Sequence, residues 1–554
     1  MAAGTATLDG DVLVVGAGHN GLICAAYLAR AGLDVVLVEA RDDVGGCAST
    51  VSDLGARFNI CNCDHTMIRA MPVLDELDLA AHGLRYLDPD ASFIGAFHDD
   101  HPPWLFFHDV EEHLEALAAS MPGQVEGYRR YLADALPVAA LAIEMARTHP
   151  NAGRLAGTAL RLRAAGAARL LEWSKRSAEE VLTRYFDDWR MWMPAVSTGP
   201  TVWGVHPATP GTGLAAAGYA TRHLIRTGRP QGGSGALTDA VRASFEAAGG
   251  IVRCGARVER LLVDDGRAVG VGLSDGTELR GQAVVAACDP KRVFVDWVGE
   301  TPPAARRAVA RWRRGPTPDG YESKIDGVLD ALPRYRFAEG IDVDRGIDLA
   351  GPTTVVSPSP ADLADAHRAR QDGRVAERPT ILVNVPSALD PHMMTAEGGH
   401  VLSLEVLFTP YALAGGWPAS GEPARWLRLW ADLAGPGTLD SVVDWRVMTP
   451  DRYEREFGMH RGHTPSYAGT PLSALLGRER ELTRYRSPIA GLYLSGAATF
   501  PGAGVFGAAG RNTAAVVQAD LGGPVGSRLA PLRRRVLAAS GALGRRRTTA
   551  TVGR

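Results

Sequence analysis

The sequence predicts an α/β fold on three observations. An apolar strand-like run opens into a glycine-rich turn and a helix, a second apolar run ends in an acid, and a distant C-terminal segment repeats the strand-then-glycine pattern. Residues 12–15 read as a short, fully buried parallel strand. Gly16-Ala17-Gly18-His19-Asn20-Gly21 follows, then a helical stretch over 22–31 closed by Gly32, then the run 35–38 and Glu39. This is strand–GxGxxG–helix–strand–acid in one unit, the arrangement of a Rossmann-type dinucleotide site. Gly16 permits the tight turn, Gly18 lets the backbone approach a pyrophosphate, and Gly21 lets the helix pack on the strand. Asn20 belongs to the same turn, whose helix N-terminus faces negative charge. Glu39 stands where a carboxylate accepts the ribose hydroxyls, and its charge disfavours a 2′-phosphate.

Beyond Glu39 come Ala40, Arg41 and the pair Gly45-Gly46. An arginine and a glycine pair here resemble the extended motif of FAD-dependent oxidoreductases, in which the pair lets the chain pass close to the pyrophosphate. Further along, 252–263 and 269–273 flank Asp264-Asp265-Gly266-Arg267 and read as a hairpin. A strand at 283–287 follows, its stretch 284–287 closing the sheet. In flavoproteins of this kind Val258 meets the adenine through its backbone, and Ala287 lies at the cofactor. The last strand, 491–495, leads into Gly496, Ala497, Gly504 and a helix from about Val505, with amides facing the flavin. Gly502-x-Gly504-x-x-Gly507 is a second GxGxxG, but no second strand–acid unit follows it, so no separate NAD(P)H domain is expected. No cysteine lies in this segment to attach a flavin, so the FAD is expected to be noncovalent.

The chain resembles the phytoene desaturase-like flavoproteins, in particular the branch of pyridine nucleotide-disulphide oxidoreductase domain-containing protein 2. The resemblance rests on GAGHNGLICAAYLARAG at the start and GLYLSGAATFPGAGVFGAAGRNTAA at 491–515. GGSGALTDA, CDPKRV and SKIDGVLDALPR support it. It implies an FAD-binding domain assembled from 1–70, 229–300 and 487–524. It also implies an α+β substrate domain of the amine oxidase/phytoene desaturase type from 71–228 and 301–486, followed by a basic tail, 525–554. One departure stands out: the family usually has His where this chain has Phe500. The disulphide reductases share the first fingerprint but need a second cysteine about five residues beyond Cys47, where this chain has Ser52.

Catalytic candidates are few, as expected where a cofactor carries the chemistry. Lys324, one of only three lysines, opens a substrate-domain strand; in the distantly similar amine oxidases a lysine on an equivalent strand holds a water at the flavin. The competing reading is a solvated strand-end lysine. His65, Thr66 and Phe500 are cavity candidates, with His65 equally readable as a buried histidine satisfied by a carbonyl. Arg511 and Asn512 read as braces for the flavin. No paired-carboxylate signal stands out. Cys61, Cys63 and His65 come nearest to a metal set but lack a fourth ligand, so no metal is expected.

A chain of 554 residues exceeds one core. Net charge −3 provides no field for nucleic acid. The free cysteines and the absence of a signal sequence or apolar span point to the cytoplasm. The segment 154–173, with Leu155, Ala159, Leu162, Gly166, Leu170 and Trp173 on one face and arginines around it, reads either as a packed cap helix or as a membrane-surface contact. The arginine-rich tail invites the same second reading. Aromatic runs at 104–107, 185–186 and 189–193 are expected in part to line an apolar cavity. The function expected is removal of a hydride from a C–H bond of a largely apolar small molecule by FAD, with oxygen or a quinone as acceptor. Oxidation of an amine or amino-acid-derived metabolite, a redox-neutral flavin isomerase and a non-catalytic flavin-stabilised binding protein remain open.

Overall fold

The computed structural model describes residues 8–61, 63–147, 157, 166–197, 204–317, 319–336, 346–463 and 479–522. Strands Gly10–Val15 and Val35–Val38 pair in parallel, Val12 beside Val35 and Val15 beside Val38, with helix His19–Arg30 between them in sequence. The helix lies tight on the turn because Gly21 has no side chain: a Cβ there would stand 1.9 Å from the Gly16 carbonyl oxygen. A seven-stranded sheet grows from this pair. Strand Glu278–Ala286 is shared: its first residues pair antiparallel with Arg267–Leu273, and its second half runs parallel to Gly10–Val15.

Three details differ from the sequence reading. Residues 284–286 are internal, because strand Leu492–Leu494 adds in parallel on their far side and takes the edge. The long run 252–263 divides. Ile251–Arg253 joins Val35–Val38 in parallel; Gly255, at φ 66°, then turns the chain, and only Val258–Asp264 forms the hairpin with Arg267–Leu273. The final helix begins at Ala508, since Gly502, Gly504 and Gly507 hold positive φ angles that keep the chain out of a helix until then.

A second seven-stranded sheet runs in the order Val442–Met448, Glu322–Leu329, His400–Leu407, Ile381–Asn384, Thr353–Ser357, Phe93–Phe97, Trp104–Phe106. Its two faces differ. Ile325, Leu404 and Val406 pack with Trp426 and Trp430 of helix Glu422–Ala434. The alternate residues Glu322, Lys324, Asp326, Ser403 and Glu405 share the other face. That face looks toward the end of strand Ala56–Asn59 and Cys63: Lys324 Nζ donates to the Asn59 carbonyl at 2.6 Å, and Cys63 Sγ lies 2.6 Å from Asn384 Oδ1.

The aromatic runs do not line the cavity described below. Trp104, Phe106, Phe186 and Trp192 pack in one core with helix Val125–Ala146, Tyr185 and Trp189 pack against it, and Phe107 joins the core under Trp426. The cap helices offer them a larger apolar surface to bury. Within 154–173, Gly166 stands in the left-handed region immediately before helix Ala167–Trp173. Leu170 and Trp173 are buried in the same core, and Arg169 pairs with Asp134 and Glu172. This part is a packed cap. Arg154, Leu155, Ala159, Arg161 and Leu162 lie outside the described residues, as does the tail 525–554. No described helix is long and apolar enough to cross a membrane.

Candidate active site

The C-terminal ends of the parallel strands open into one cavity, where open α/β sheets place ligands. Val15 and Gly16 end the first strand there, Val38 and Glu39 the second, Ala287 the third, and Gly496 and Ala497 follow the last. Gly18, Asn20, Gly21, Ala40, Arg41, Gly46, Val258, Gly504 and Val505 also line it. Gly45 does not: at φ 114° it turns the chain beneath the site, and a Cβ there would meet Ser49 Oγ at 2.6 Å.

The cradle fits a dinucleotide. A Cβ at Gly18 or Gly504 would meet nothing within 4 Å, so both backbones face open space. Gly46 passes close over the first turn, its would-be Cβ 3.1 Å from Gly18 Cα. Glu39 accepts the N–H groups of Ala17 at 2.7 Å and Arg41 at 3.0 Å. Each carboxylate oxygen keeps a lone pair for a ribose hydroxyl. Arg41 lies over the Phe457 ring at 4.3 Å, which holds that wall across the two sheets. His19 also lines the site. Burial lowers its pKa to about 4, partly opposed by the Gly504 backbone, so it adds no charge near neutrality.

The three catalytic candidates lie off this surface. Lys324 is fully buried, hydrogen-bonded to Asn59 and ion-paired with Asp326. Asp326 in turn holds Arg446 at 2.9 Å, and Arg446 holds Asp53 at 2.7 Å. Lys324 is therefore neither a solvated strand end nor a cavity residue; it ties its strand to Asn59. His65 is buried between Tyr86 Oη and Ser234 Oγ, each at 3.1 Å, and burial lowers its pKa to about 3. Thr66 bonds Thr227, and Phe500 is buried, its carbonyl accepting the Tyr485 hydroxyl. Arg511 pairs with Glu76, and Asn512 bonds Tyr485 Oη and the Ala146 carbonyl, so both brace helices rather than the cofactor cradle. Cys61, Cys63 and His65 point to three different partners.

Other residues also line the cavity: Cys47, Cys61, Asp64, Tyr321, Glu322, Glu405, Phe457, Met459 and His460. Asp64 is bound to Arg229 at 2.7 Å and to Thr353. The hydrogen bond of Cys61 to Cys47 and its burial raise the Cys61 pKa well above the ordinary thiol value. Glu322 and Glu405 are a carboxyl pair that the sequence reading missed. The legible signal was the alternation Glu322, Lys324, Asp326 in a strand buried along its whole length. Burial raises the Glu322 pKa against the opposing influence of Tyr321, Cys61, Lys324 and Tyr453. Burial, then Glu322, raises Glu405 to about 8.

Residues 14–73 match the NAD(P)-binding Rossmann-like domain family. The chain is 29% identical over 568 residues to rat pyridine nucleotide-disulfide oxidoreductase domain-containing protein 2, covering 92% of this chain and 94% of the relative. It is 27% identical over 527 residues to the lycopene-forming phytoene desaturase of Pseudescherichia vulneris, covering 92% and 99%. In fold it is similar to a triple variant of putrescine oxidase, with a TM-score of 0.58 at 18% identity, covering 92% and 99%. With its Rossmann-type cradle, its second sheet and homology over most of its length, the chain is an oxidoreductase whose homologues include the phytoene desaturases and pyridine nucleotide-disulfide oxidoreductase domain-containing protein 2.

Proposed function

We propose that the chain is an FAD-dependent dehydrogenase, desaturase or oxidase that acts on a C–H bond of a small molecule with a largely apolar body. One observation carries the reading: the dinucleotide cradle and the second sheet's polar face share a single cavity, so cofactor and substrate would meet within it. Homology to a phytoene desaturase supports it. Gly18 and Gly504 would admit the noncovalent cofactor's phosphates, Glu39 would hold the adenosine ribose, and Val258 the adenine. When bound, FAD supplies a two-electron acceptor that passes its electrons to oxygen or a quinone. The chain's own residues bind and orient. Phe457, Met459 and Tyr321 give the substrate end apolar surface, and the packed second sheet excludes water behind it. The expected domain division, 1–70, 229–300 and 487–524 against 71–228 and 301–486, is part of the same proposal.

The test is anaerobic mixing of flavin-loaded protein with fractionated cell extract while the visible absorbance of oxidised flavin is followed. Bleaching by fractions that partition into organic solvent supports the reading. Bleaching confined to fractions that never leave water contradicts an apolar body. A membrane contact through 154–173 or the tail is a separate proposal, checked by sedimentation with anionic vesicles.

A further inference from the structure

Glu322 and Glu405 are 5% and 3% exposed, and both face the cavity. They stand diagonally on neighbouring antiparallel strands, where Glu322 pairs with Leu407 and Lys324 with Glu405. In each, Oε1 has no hydrogen-bond partner among the described residues. A buried carboxyl oxygen without a partner costs about 1–3 kcal/mol, so its retention in a cavity wall calls for a ligand.

The charges around the pair define that ligand. Lys324 is the cation acting on both acids, and Asp326 and the Asn59 carbonyl already hold its ammonium. Asp326 also takes Arg446, and Asp64 is matched by Arg229. The neighbouring groups Cys61, Tyr321 and Tyr453 carry no positive charge. This wall therefore has more acids than cations, and Glu405 balances the difference by holding a proton near neutrality. An anionic ligand group would be repelled. A neutral hydroxyl could satisfy one oxygen but could not replace the positive charge of that proton. A cationic nitrogen does both.

We propose that Glu322 and Glu405 form a subsite for a cationic nitrogen, so that the substrate is an organic amine: an apolar body carrying an ammonium or amidinium group. This rests on the flavin-and-substrate reading of the cavity and narrows its substrate class. The ligand's cation would sit between the two carboxyls and displace the proton that Glu405 holds near neutrality, which keeps the site's charge balanced.

The experiment uses the full chain loaded with FAD, whose occupancy is measured first. Failure to load flavin overturns the proposed function and is read separately. Octylammonium and octanol, equal in apolar body, are then titrated by calorimetry in two buffers of different ionisation heat. Octylammonium is expected to bind at least about tenfold tighter than octanol, the effect of one charge-assisted hydrogen bond, with release of a proton to buffer. Glu405→Gln and Glu322→Gln should each remove most of that preference while octanol binding stays. Equal binding of the two probes overturns the proposal, as does no binding of octylammonium, or full ammonium preference in both variants. If a variant does not fold, the probe comparison and the proton release on the natural chain still decide.

Discussion

Lys324 and Glu405 face each other across two antiparallel strands, yet the lysine turns away. Its ammonium goes to Asp326 and the Asn59 carbonyl, and Glu405 is left with an unpaired oxygen at the cavity. Lysine thus serves the framework between the sheets, and the acid faces the ligand space.

Lys324→Met should therefore cost stability rather than change the flavin. Removing one member of a buried ion pair typically costs about 3–5 kcal/mol, and Arg446 remains to hold Asp326, so the lower end is expected here. Urea unfolding measures the loss, and the flavin spectrum of the folded fraction should stay as it was. A variant of unchanged stability with an altered flavin spectrum would restore Lys324 as a cofactor-side residue.

Gly18→Ala and Gly21→Ala should fail in different ways. At Gly18 the added Cβ meets nothing within 4 Å and φ is −65°, so the chain should fold with an unchanged melting temperature while FAD occupancy falls. At Gly21 the Cβ would stand 1.9 Å from the Gly16 oxygen, so the strand–turn–helix unit itself is broken. Thermal melts and bound-flavin assays on both variants separate the two effects.

The contrast also marks what the sequence made legible. The first turn, Glu39 and the 496–505 segment each announce themselves by glycine spacing and by an acid at the end of a strand, because a close backbone approach leaves few residue choices. The substrate end does not. Glu322 and Glu405 meet only through strand pairing between distant segments, and Cys61 meets Cys47 only when the loop after strand Ala56–Asn59 folds back. Lys324, His65 and Phe500 are unusual residues for their positions, but their partners lie elsewhere in the chain, and sequence alone could not tell a cavity from a satisfied core.

Glu39→Ala should weaken the folded protein as well as cofactor binding. The carboxylate satisfies the amides of Ala17 and Arg41, so its loss leaves both without a partner, at about 1–3 kcal/mol for each one that water does not reach. A lower urea midpoint is expected in the FAD-free protein. An unchanged midpoint would mean that the carboxylate serves the ligand alone.

Histidines with lowered pKa values set an acid limb. His19 and His65 have folded pKa values of about 4 and about 3, against 6.5 when exposed. Below pH 6.5 the unfolded chain takes up protons that the folded chain does not. Their contribution is therefore complete above 6.5 and is lost as pH falls toward 4 and then 3. Urea midpoints measured across this range should decline, and His65→Asn should make the decline shallower. A midpoint independent of pH from 6.5 to 4 would contradict the lowered pKa of both rings.

Glu405 acts with the opposite sign. Its folded pKa, about 8, lies above the ordinary 4.5, so its contribution is complete below 4.5 and is lost as pH rises toward 8. Glu405→Gln should therefore gain stability relative to the natural chain, and the gain should be larger at pH 8 than at pH 5. A gain that does not change with pH would show that Glu405 titrates as an exposed acid does.

FAD binding in this cavity is tested most directly by the flavin content of the purified chain. Yellow protein with stoichiometric FAD, released intact by heat, and loss of that FAD in a folded Gly18→Ala variant are expected. Colourless protein that cannot be loaded with FAD, or flavin retained undiminished in Gly18→Ala, would contradict it.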